Sequence, residues 1–303
     1  MLRWTGYRVV FECADGWRAP AFTGSMLRGA FGSALKRTVC AMRLRECDGC
    51  PLEHACTYTV VFETRPDPTK GVMTRYDRAP HPFVLVTPIE RLREGGGFAA
   101  GVRLFGDAVQ AAPFVLRAFE LAAERGFGSG RVPHRLTAAL TEGKEDDRPA
   151  WKPGSSFGRP TLLEDPSPLP DTIRLVFRTP LRMKREGRLV TPESLDGPTL
   201  VMNAIRRIGL LATFFGRGTD GVDFPRMKAE AERTQLVDAQ LSWRDLVRRS
   251  SRQNAELGIG GIVGSATLHL SGSAELSRLL AWIPIVHVGK ATTMGLGQVE
   301  VVP

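Results

Sequence analysis

The sequence predicts an α+β fold in which two βαββαβ units follow one another. Three observations indicate this fold: both halves show the same order of strand and helix patterns, both end with a helix, a glycine-rich loop and a strand, and a proline-rich segment separates them. A chain of 303 residues is long enough for two domains. We therefore expect two tandem ferredoxin-like domains, over 1–147 and 171–303, joined by a linker over 148–170.

The first half contains the patterns of one complete unit. Strands are indicated by β-branched and aromatic runs, and helices by apolar residues at helical spacing. The predicted order is a strand at 7–13, a helix at 22–39, strands at 82–90 and 98–106, a helix at 111–126, a glycine loop and a strand within 131–140. Glycines on the polar side of the first helix indicate either close approach of a ligand or tight packing against another element.

The second half repeats much of this order after the linker. Six prolines between 149 and 170 exclude a regular element there. The predicted elements that follow are a strand at 172–180, a helix at 197–216, a strand at 260–272, a helix at 273–283 and a closing strand at 295–302. The two domains thus share an architecture.

Composition points to a globular protein with a polyanionic partner. Hydrophobic residues make up 43% of the chain and charged residues 24%, which is neither disordered nor membrane-like. Neither an export signal nor a long apolar run is present, so we expect a cytoplasmic protein with no membrane contact. The 41 basic residues, mostly arginine, exceed the 32 acidic ones and leave a net charge of +9. Such an excess suits nucleic acid, although a genome rich in arginine codons also raises arginine content.

The segment HVGKATTMGLGQVEV at 287–301 has the composition of a phosphate-binding loop. It fails the Walker A template, because Gly289-Lys290 lacks the upstream glycine and is followed by Ala291. It also fails the dinucleotide template, because Gly295 and Gly297 precede a closing strand and open no helix. The remaining interpretations are a loop that follows a polynucleotide backbone, and a loop that only needs positive φ angles at its glycines.

Several segments resemble a known family. GGIVGSATLHLSG, HVGKATTMGLGQVEV, WRDLVRRSSRQ and LVFRTPLRM resemble the C-terminal half of the Cas6 family, the CRISPR repeat-RNA processing endoribonucleases of the RAMP superfamily. GSMLRGAFGSAL, the cysteine-rich segment and APHPFVL are similar to its N-terminal half. The resemblance implies two RRM-like domains, a basic cleft between them and a CRISPR repeat stem-loop as substrate. It also implies other CRISPR effector subunits as partners.

The resemblance further implies cleavage without metal. In such a reaction the ribose 2′-OH attacks the neighbouring phosphate, which leaves a 2′,3′-cyclic phosphate. This chemistry needs proton-transfer groups and cations, and an imidazole suits the former. Of the five histidines, we expect His54 to be structural or a metal ligand, and His81 to lie in a turn. His134 follows the glycine loop of the first half, and His269 is expected on the outer face of a strand. His287, beside a glycine loop and a lysine, is therefore the best catalytic candidate.

The chain departs from the family pattern in its first helix, where many members carry the catalytic histidine. The helix at 22–39 has neither histidine nor tyrosine. Catalysis has then either moved to the second domain or relies on cations that align the RNA. The predicted catalytic set is His287, Lys290, Arg28 and Lys36. The predicted RNA-binding set is Ser25, Arg37, Arg131, Arg206, Arg207, Arg248, Arg249, Arg252, Gly289, Thr292, Thr293, Gly295 and Gly297. A solvated charged segment is the alternative for the arginines of 243–253.

Four cysteines cluster in an insert at 40–58 of the first domain. Cys40, Cys47, Cys50 and Cys56 have the spacing C-x6-C-x2-C-x5-C. Four thiolates within 17 residues suit tetrahedral Zn²⁺, and a [4Fe–4S] cluster needs the same set. Disulfides are the alternative, although they are rare in a reducing compartment. We expect a structural metal site, with zinc favoured over iron–sulfur, and a buried Cys13 outside it.

The sequence therefore predicts a metal-independent endoribonuclease that cuts CRISPR repeat RNA at a stem-loop and retains the mature product. One alternative is a non-catalytic RAMP subunit that binds or caps the crRNA. A third interpretation is a zinc or iron–sulfur nucleic-acid-binding protein unrelated to CRISPR. That interpretation explains the charge and the cysteines but leaves the C-terminal segments unexplained.

Overall fold

A computed structural model describes most of the chain. The described residues are 2–13, 17–20, 22–43, 46–64, 79–91, 97–143, 149–219, 221–250 and 255–302, with backbone alone at 88–91, 249, 250 and 255. The fold is mixed α+β with antiparallel sheets, as the sequence predicts. Contacts divide the chain into two compact units. Unit 1 comprises Met1–Glu164 and Leu211–Gly218, and unit 2 comprises Asp165–Leu210 and Thr219–Pro303.

Unit 1 is built on a four-stranded sheet with helices between its strands. Its elements are β1 (Trp4–Glu12), α1 (Thr23–Val39), α2 (Thr57–Phe62), β2 (Phe83–Arg91), β3 (Phe98–Phe105), α3 (Ala112–Arg125) and β4 (Arg135–Thr141). The strand order is β2-β3-β1-β4, and all pairings are antiparallel. β1 therefore lies at the centre, where Tyr7 pairs with Val102 on one side and with Thr141 on the other.

The core of unit 1 lies between the sheet and the helices α1 and α3. On α1 the fully buried residues include Leu27, Phe31 and Leu35, which the helical spacing of the sequence predicts. The ring of Phe31 stacks on Phe119 of α3 with centroids 4.8 Å apart. This packing fixes α1 against α3, so the polar side chains on their outer faces are held in fixed relative positions.

The two interior glycines of α1 have different surroundings. A Cβ on Gly32 would lie 2.1 Å from the ring of Phe62, so this glycine allows α2 to pack closely on α1. Gly29 is exposed, and nothing lies within 4 Å of the position its Cβ would take. Of the two interpretations of these glycines, tight packing therefore applies to Gly32.

Unit 2 carries a second four-stranded sheet with a comparable arrangement. Its elements are β5 (Thr172–Leu181), β6 (Lys184–Arg185), β7 (Arg188–Leu189), α4 (Gly197–Phe215), α5 (Phe224–Glu232), β8 (Gln235–Arg244), β9 (Val247–Ser250), β10 (Ala255–Gly258), β11 (Gly261–His269), α6 (Ala274–Leu280), α7 (Ile283–Val286) and β12 (Val299–Val302). The end of α4 from Leu211 onward is assigned to unit 1. The strand order is β12-β5-β11-β8. β5 thus has the central place that β1 has in unit 1.

Three features of unit 2 differ from the sequence prediction. The strand β8 was not predicted, and the helix predicted over 273–283 is divided into α6 and α7. The described part of the segment 243–253, for which no element was predicted, contributes to β8 and β9. β9 pairs with β10 as an antiparallel ribbon, in which Arg248 lies opposite Leu257.

The predicted linker contains no helix or strand between Trp151 and Asp171. Its first part is nevertheless attached to unit 1. Trp151 is 4% exposed and exchanges two main-chain hydrogen bonds with Ala139 of β4. The Leu163 N–H donates to the Trp4 carbonyl over 3.0 Å. The boundary between the units falls between Glu164 and Asp165, within the segment 148–170 that the sequence predicts as the linker.

Candidate functional site

A cavity on unit 1, here called the arginine pocket, lies between α1, α3 and the loop that follows α3. Its volume is about 300 Å³. The lining combines small side chains with three arginines. The lining residues are Ala30, Ser33, Arg37, Ala122, Arg125, Gly126 and Arg131. All three arginines are exposed, so a ligand in solution can reach them.

Regular structure positions the first two arginines. Arg37 lies one turn after Ser33 on α1, and its guanidinium donates to the Ser33 hydroxyl over 2.7 Å. Arg125 is the last residue of α3. Since α1 and α3 are packed through their cores, these two guanidiniums approach one another from adjacent helices.

The loop after α3 positions the third arginine. Phe127 and Val132 exchange two main-chain hydrogen bonds of 3.0 and 3.1 Å, which close the loop GFGSGR as a tight turn. Gly126 has φ 90°, and a Cβ there would lie 2.1 Å from the Arg131 carbonyl oxygen. Only glycine fits at this position, and its absent side chain lets Arg131 fold back to the pocket.

The charges in the pocket have the same sign. Partial burial lowers the pKa of Arg37, and the positive charge of Arg125 lowers it further. Among the described residues that line the pocket there is no carboxylate. A cluster of guanidiniums without a lining carboxylate favours an anionic ligand, and the planar guanidinium matches phosphate oxygens in pairs.

The sequence prediction found part of this pocket. Arg37 and Arg131 belong to the predicted RNA-binding set, and the structure brings them together. Ser33 and Arg125 were missed. A basic residue in the last turn of a helix that precedes a glycine loop was the available signal for Arg125, but such residues also interact with the helix dipole alone.

The glycine-rich loop of unit 2 is mostly bound to the protein itself. The main-chain N–H groups of Val288, Lys290 and Gly297 donate to the carbonyls of Gly297, Arg182 and Pro180. The Thr179 hydroxyl donates to the Gly295 carbonyl over 2.7 Å and accepts from the Gln298 N–H. Donors used in this way are not available to a phosphate.

The predicted phosphate contacts in this loop are correspondingly buried. Thr292 is 5% exposed and Thr293 is 8% exposed, and Gly295 and Gly297 are buried too. A Cβ on Gly289 would lie 2.5 Å from the Arg182 carbonyl oxygen. The structure fits the interpretation in which the glycines of this loop only supply positive φ angles. It does not fit the contacts with an RNA backbone that the sequence predicts for the loop.

His287, the predicted proton-transfer group, has no solvent exposure. It follows α7 with φ 58°, and its N–H donates to the Ile283 carbonyl over 3.0 Å. A fully buried imidazole cannot reach a ribose 2′-OH without a rearrangement of the loop. Its burial therefore argues against the predicted catalytic role.

We expect His287→Ala to act on stability. Removing a fully buried ring leaves a cavity, so the free energy of unfolding should fall by roughly 2–4 kcal/mol. RNA affinity of the folded protein should stay within a few-fold of the wild type. Denaturant unfolding and RNA binding measured on one preparation check this. Lost cleavage at unchanged stability would restore the catalytic role.

The cations predicted near this loop have separate environments. The Arg207 guanidinium lies inside unit 2, where its Nε donates to the carbonyls of Val286 and His287 over 2.8 and 3.1 Å. Burial lowers the pKa of Arg207 to about 10. Arg207 therefore supports α7, and the RNA contact predicted for it stays a prediction. Arg206 and Lys290 are exposed, so the predicted RNA contact of Arg206 and the predicted catalytic role of Lys290 stay predictions.

The cations predicted on α1 also contact the protein. The Arg28 guanidinium lies 4.3 Å from the centroid of the Phe62 ring. The Lys36 ammonium lies 5.5 Å from the Tyr58 ring and within hydrogen-bond reach of the Cys47 thiol. Neither residue lines the arginine pocket. The catalytic roles predicted for both are thus not supported by their placement, and Ser25 is half-buried outside the pocket lining.

The predicted arginine cluster at 248–252 lies only partly within the described residues. Arg248 is half-buried on β9. The side chain of Arg249 and the whole of Arg252 lie outside the described part of the chain. The RNA contacts of Arg248, Arg249 and Arg252 therefore stay a prediction.

The other histidines have structural surroundings. His134 is 4% exposed among the rings of Trp17, Phe98 and Phe127, and burial lowers its pKa, so it stays neutral. His81 lies near the rings of Phe62 and Phe83. His269 shares a 2.8 Å hydrogen bond with the Thr172 hydroxyl, and His54 lies 3.5 Å from a Glu53 carboxylate oxygen.

The four clustered cysteines lie along one small cavity between α1 and α2. Cys40, Cys47, Cys50 and Cys56 are all outside disulfides. Burial raises the pKa of the Cys47 thiol, and the neighbouring Lys36 ammonium opposes that rise. Within the described ranges, no group of three or more histidine, cysteine, aspartate or glutamate side chains has the arrangement of a metal site. The described helices also include none that is long and apolar enough to span a bilayer.

Two family models match the chain. AF_1859_N, an N-terminal domain, matches residues 2–162, and the CRISPR-associated endoribonuclease Cas6 matches residues 175–299. The chain is also similar to an uncharacterised protein of Archaeoglobus fulgidus. The identity is 24% over 287 residues, which are 93% of this chain and 92% of that protein.

Solved structures with a similar fold include two Cas6 product complexes. The Thermus thermophilus Cas6 product complex has a TM-score of 0.59 and 17% identity, with 99% of both chains covered. A second Cas6 product complex has a TM-score of 0.56 and 20% identity over the full length of both chains. At such low identity these similarities establish the fold alone.

Proposed function

We propose that this chain, which the AF_1859_N model matches over 2–162 and the Cas6 endoribonuclease model over 175–299, is a Cas6-type RAMP protein that binds CRISPR repeat RNA at the arginine pocket and cleaves it there. The observation that carries this proposal is the convergence of Arg37, Arg125 and Arg131 on one exposed cavity. Three guanidiniums suit the phosphates of a polynucleotide, and the net charge of +9 favours its approach.

Each unit is, in this proposal, a ferredoxin-like domain. In unit 1 the chain order of β1, α1, β2, β3, α3 and β4, with β1 and β3 at the centre of the sheet, supports this assignment. In unit 2, β5, α4, β8, β11, α6 and β12 follow the same scheme. The sheet of unit 1 then fixes α1 and α3, which carry Arg37 and Arg125, and the loop after α3 carries Arg131.

The proposed cleavage is a metal-independent transesterification. The ribose 2′-oxygen forms a bond to the adjacent phosphorus while the bond from phosphorus to the 5′-oxygen breaks. The 2′-OH proton passes to solvent and the leaving 5′-oxygen takes a proton from water. The products are a 2′,3′-cyclic phosphate and a 5′-OH. Arg37, Arg125 and Arg131 stabilise the additional negative charge on the phosphoryl oxygens in the transition state.

The composition of the arginine pocket limits the expected rate of RNA cleavage. Among the described residues that line it there is no histidine, so proton transfer relies on solvent. Positioning and charge stabilisation alone give a slower reaction than one that also has a general base. Guanidiniums that hold the cyclic phosphate would also retain the product. Retention suits a subunit that delivers its RNA to other CRISPR proteins.

A second candidate function is RNA binding without cleavage. The burial of His287 favours it, because the predicted proton-transfer group lies away from solvent. In that case the chain is a RAMP subunit that carries or caps mature crRNA. One similar structure is a Cas6-RT-Cas1–Cas2 complex, in whose longer chain the matched region is 29% of the length. We propose partner CRISPR proteins for this chain under either function.

Incubation with repeat RNA in EDTA distinguishes the two candidates. We expect slow cleavage at one position, a product that ends in a 2′,3′-cyclic phosphate, and no cleavage of RNA with a 2′-deoxy substitution at that position. The deoxy RNA should bind as tightly as the natural RNA. Tight binding with intact natural RNA would establish the carrier function, and a requirement for Mg²⁺ would contradict the proposed chemistry.

A further inference from the structure

The four cysteines of the insert meet at one place in the structure. Cys40, Cys47, Cys50 and Cys56 all line a single cavity with a volume of about 20 Å³. Apolar side chains that include Met42, Leu52 and Tyr58 form much of the remaining wall. The sequence spacing required only proximity along the chain, so the shared cavity is independent support for a common ligand.

The four cysteines lie on three local backbone elements. The Cys50 N–H donates to the Cys47 carbonyl over 3.2 Å, and Gly49 has φ 70°, which closes Cys47–Cys50 as a β-turn. Cys40 caps the C-terminus of α1, and Cys56 caps the N-terminus of α2. A tight Cys-x2-Cys turn opposite two further cysteines is the usual framework of a four-thiolate zinc site.

We propose that Cys40, Cys47, Cys50 and Cys56 bind one Zn²⁺ ion as a structural site that joins the end of α1 to the start of α2. On binding, the four thiols release their protons to solvent and the sulfurs close to about 2.3 Å from the ion. The ion-free side chains do not have that closed arrangement, so zinc must draw them together. All four are available, since none is in a disulfide.

The small volume of the cavity favours a single ion as its ligand. About 20 Å³ accommodates one occupant the size of a water molecule. A cube of four irons and four sulfides is several times larger and would have to displace the Met42 and Leu52 walls. The structure therefore favours zinc over the [4Fe–4S] cluster that the same four cysteines would otherwise suit.

The site would act on the arginine pocket through α1. Arg37 lies one turn before Cys40, so a metal that holds Cys40 also holds the last turn of α1. Zinc is then a positioning element for Arg37 and takes no part in the chemistry. The metal site can be tested separately from the proposed cleavage, because metal content is measured without RNA.

Elemental analysis of the purified full chain tests the proposal. We expect about one zinc per chain and no iron chromophore. In Cys50→Ala and Cys56→Ala the zinc content should fall to roughly a tenth or less, whereas the control Cys13→Ala should keep it. A brown, iron-containing protein, or equal zinc loss in the Cys13 control, would overturn the assignment.

A second measurement covers variants that fail to fold. The wild-type chain, stripped of metal with a chelator, is titrated with Co²⁺, and the expected result is a tetrahedral thiolate spectrum that saturates at about one equivalent. Zinc should then displace cobalt and protect four thiols from a thiol reagent. Four thiols that react at the same rate with and without zinc, or a disulfide between any two, would contradict the site.

Discussion

Replacing Arg37 and Arg125 together by alanine is expected to lower the affinity for repeat RNA by roughly 100-fold or more. Each guanidinium offers charge-assisted hydrogen bonds to phosphate, worth about 1.5–3 kcal/mol apiece. The slope of log Kd against log salt concentration should become shallower by about 1.4 to 1.8 as two phosphate contacts disappear. Filter binding or fluorescence anisotropy over a range of salt concentrations measures both quantities.

The double variant should fold as well as the wild type. Arg37 donates to Ser33 within α1, and the two arginines repel each other, so the melting temperature should stay within about 2 °C. Arg135→Ala is the matched control. Arg135 is exposed on the same unit and forms an ion pair with Glu12 over 2.6 Å. Comparable losses of affinity in both variants would show that net charge alone, and not the pocket, binds RNA.

Gly297→Ala is expected to lower the free energy of unfolding by roughly 3–5 kcal/mol. Gly297 has φ 67°, and a Cβ there would lie 1.7 Å from the Val288 carbonyl oxygen. Val288 is fully buried, and its N–H donates to the Gly297 carbonyl, so the obstructing group cannot move aside. Urea unfolding followed by tryptophan fluorescence measures the loss.

Gly272→Ala separates the clash from the backbone strain. Gly272 has φ 75°, close to that of Gly297, but nothing lies within 4 Å of the position its Cβ would take. Alanine there carries only the cost of a left-handed conformation, about 1–2 kcal/mol. Equal losses in the two variants would mean that the loop relaxes around the methyl group added at Gly297 and is not a rigid part of unit 2.

The mixed α+β fold could be predicted because its signals are local. The apolar spacing of α1 identified Leu27, Phe31 and Leu35, and all three are fully buried. The strand β8 was not predicted from the sequence, and the reason is physical. It lies at the edge of its sheet, its side chains are only half-buried or exposed, and Asp238 with φ 48° interrupts the alternation. A strand without a buried face leaves little hydrophobic pattern to read.

The candidate site was harder to predict, because residue types do not reveal burial. Composition made the loop at 287–301 look like a phosphate-binding loop, but its donors bond to Pro180 and Arg182 on the neighbouring strand end. The spacing of Arg37, Arg125 and Arg131 shows no motif, since the packing of α1 on α3 brings them together. The cysteines are an intermediate case, in which spacing alone predicted a cluster that the fold then gathers around one cavity.

The arginine pocket also determines which conditions in a cell could release its RNA. Every cation that lines it is a guanidinium, and a guanidinium keeps its proton from about pH 6 to 9 even where burial and a neighbouring charge lower its pKa. A change of pH across this range therefore cannot empty the pocket, whereas a pocket built from histidines would lose its positive charge, and with it the RNA, as the pH rises. Exchange must come from a competing polyanion or from another protein that withdraws the RNA strand.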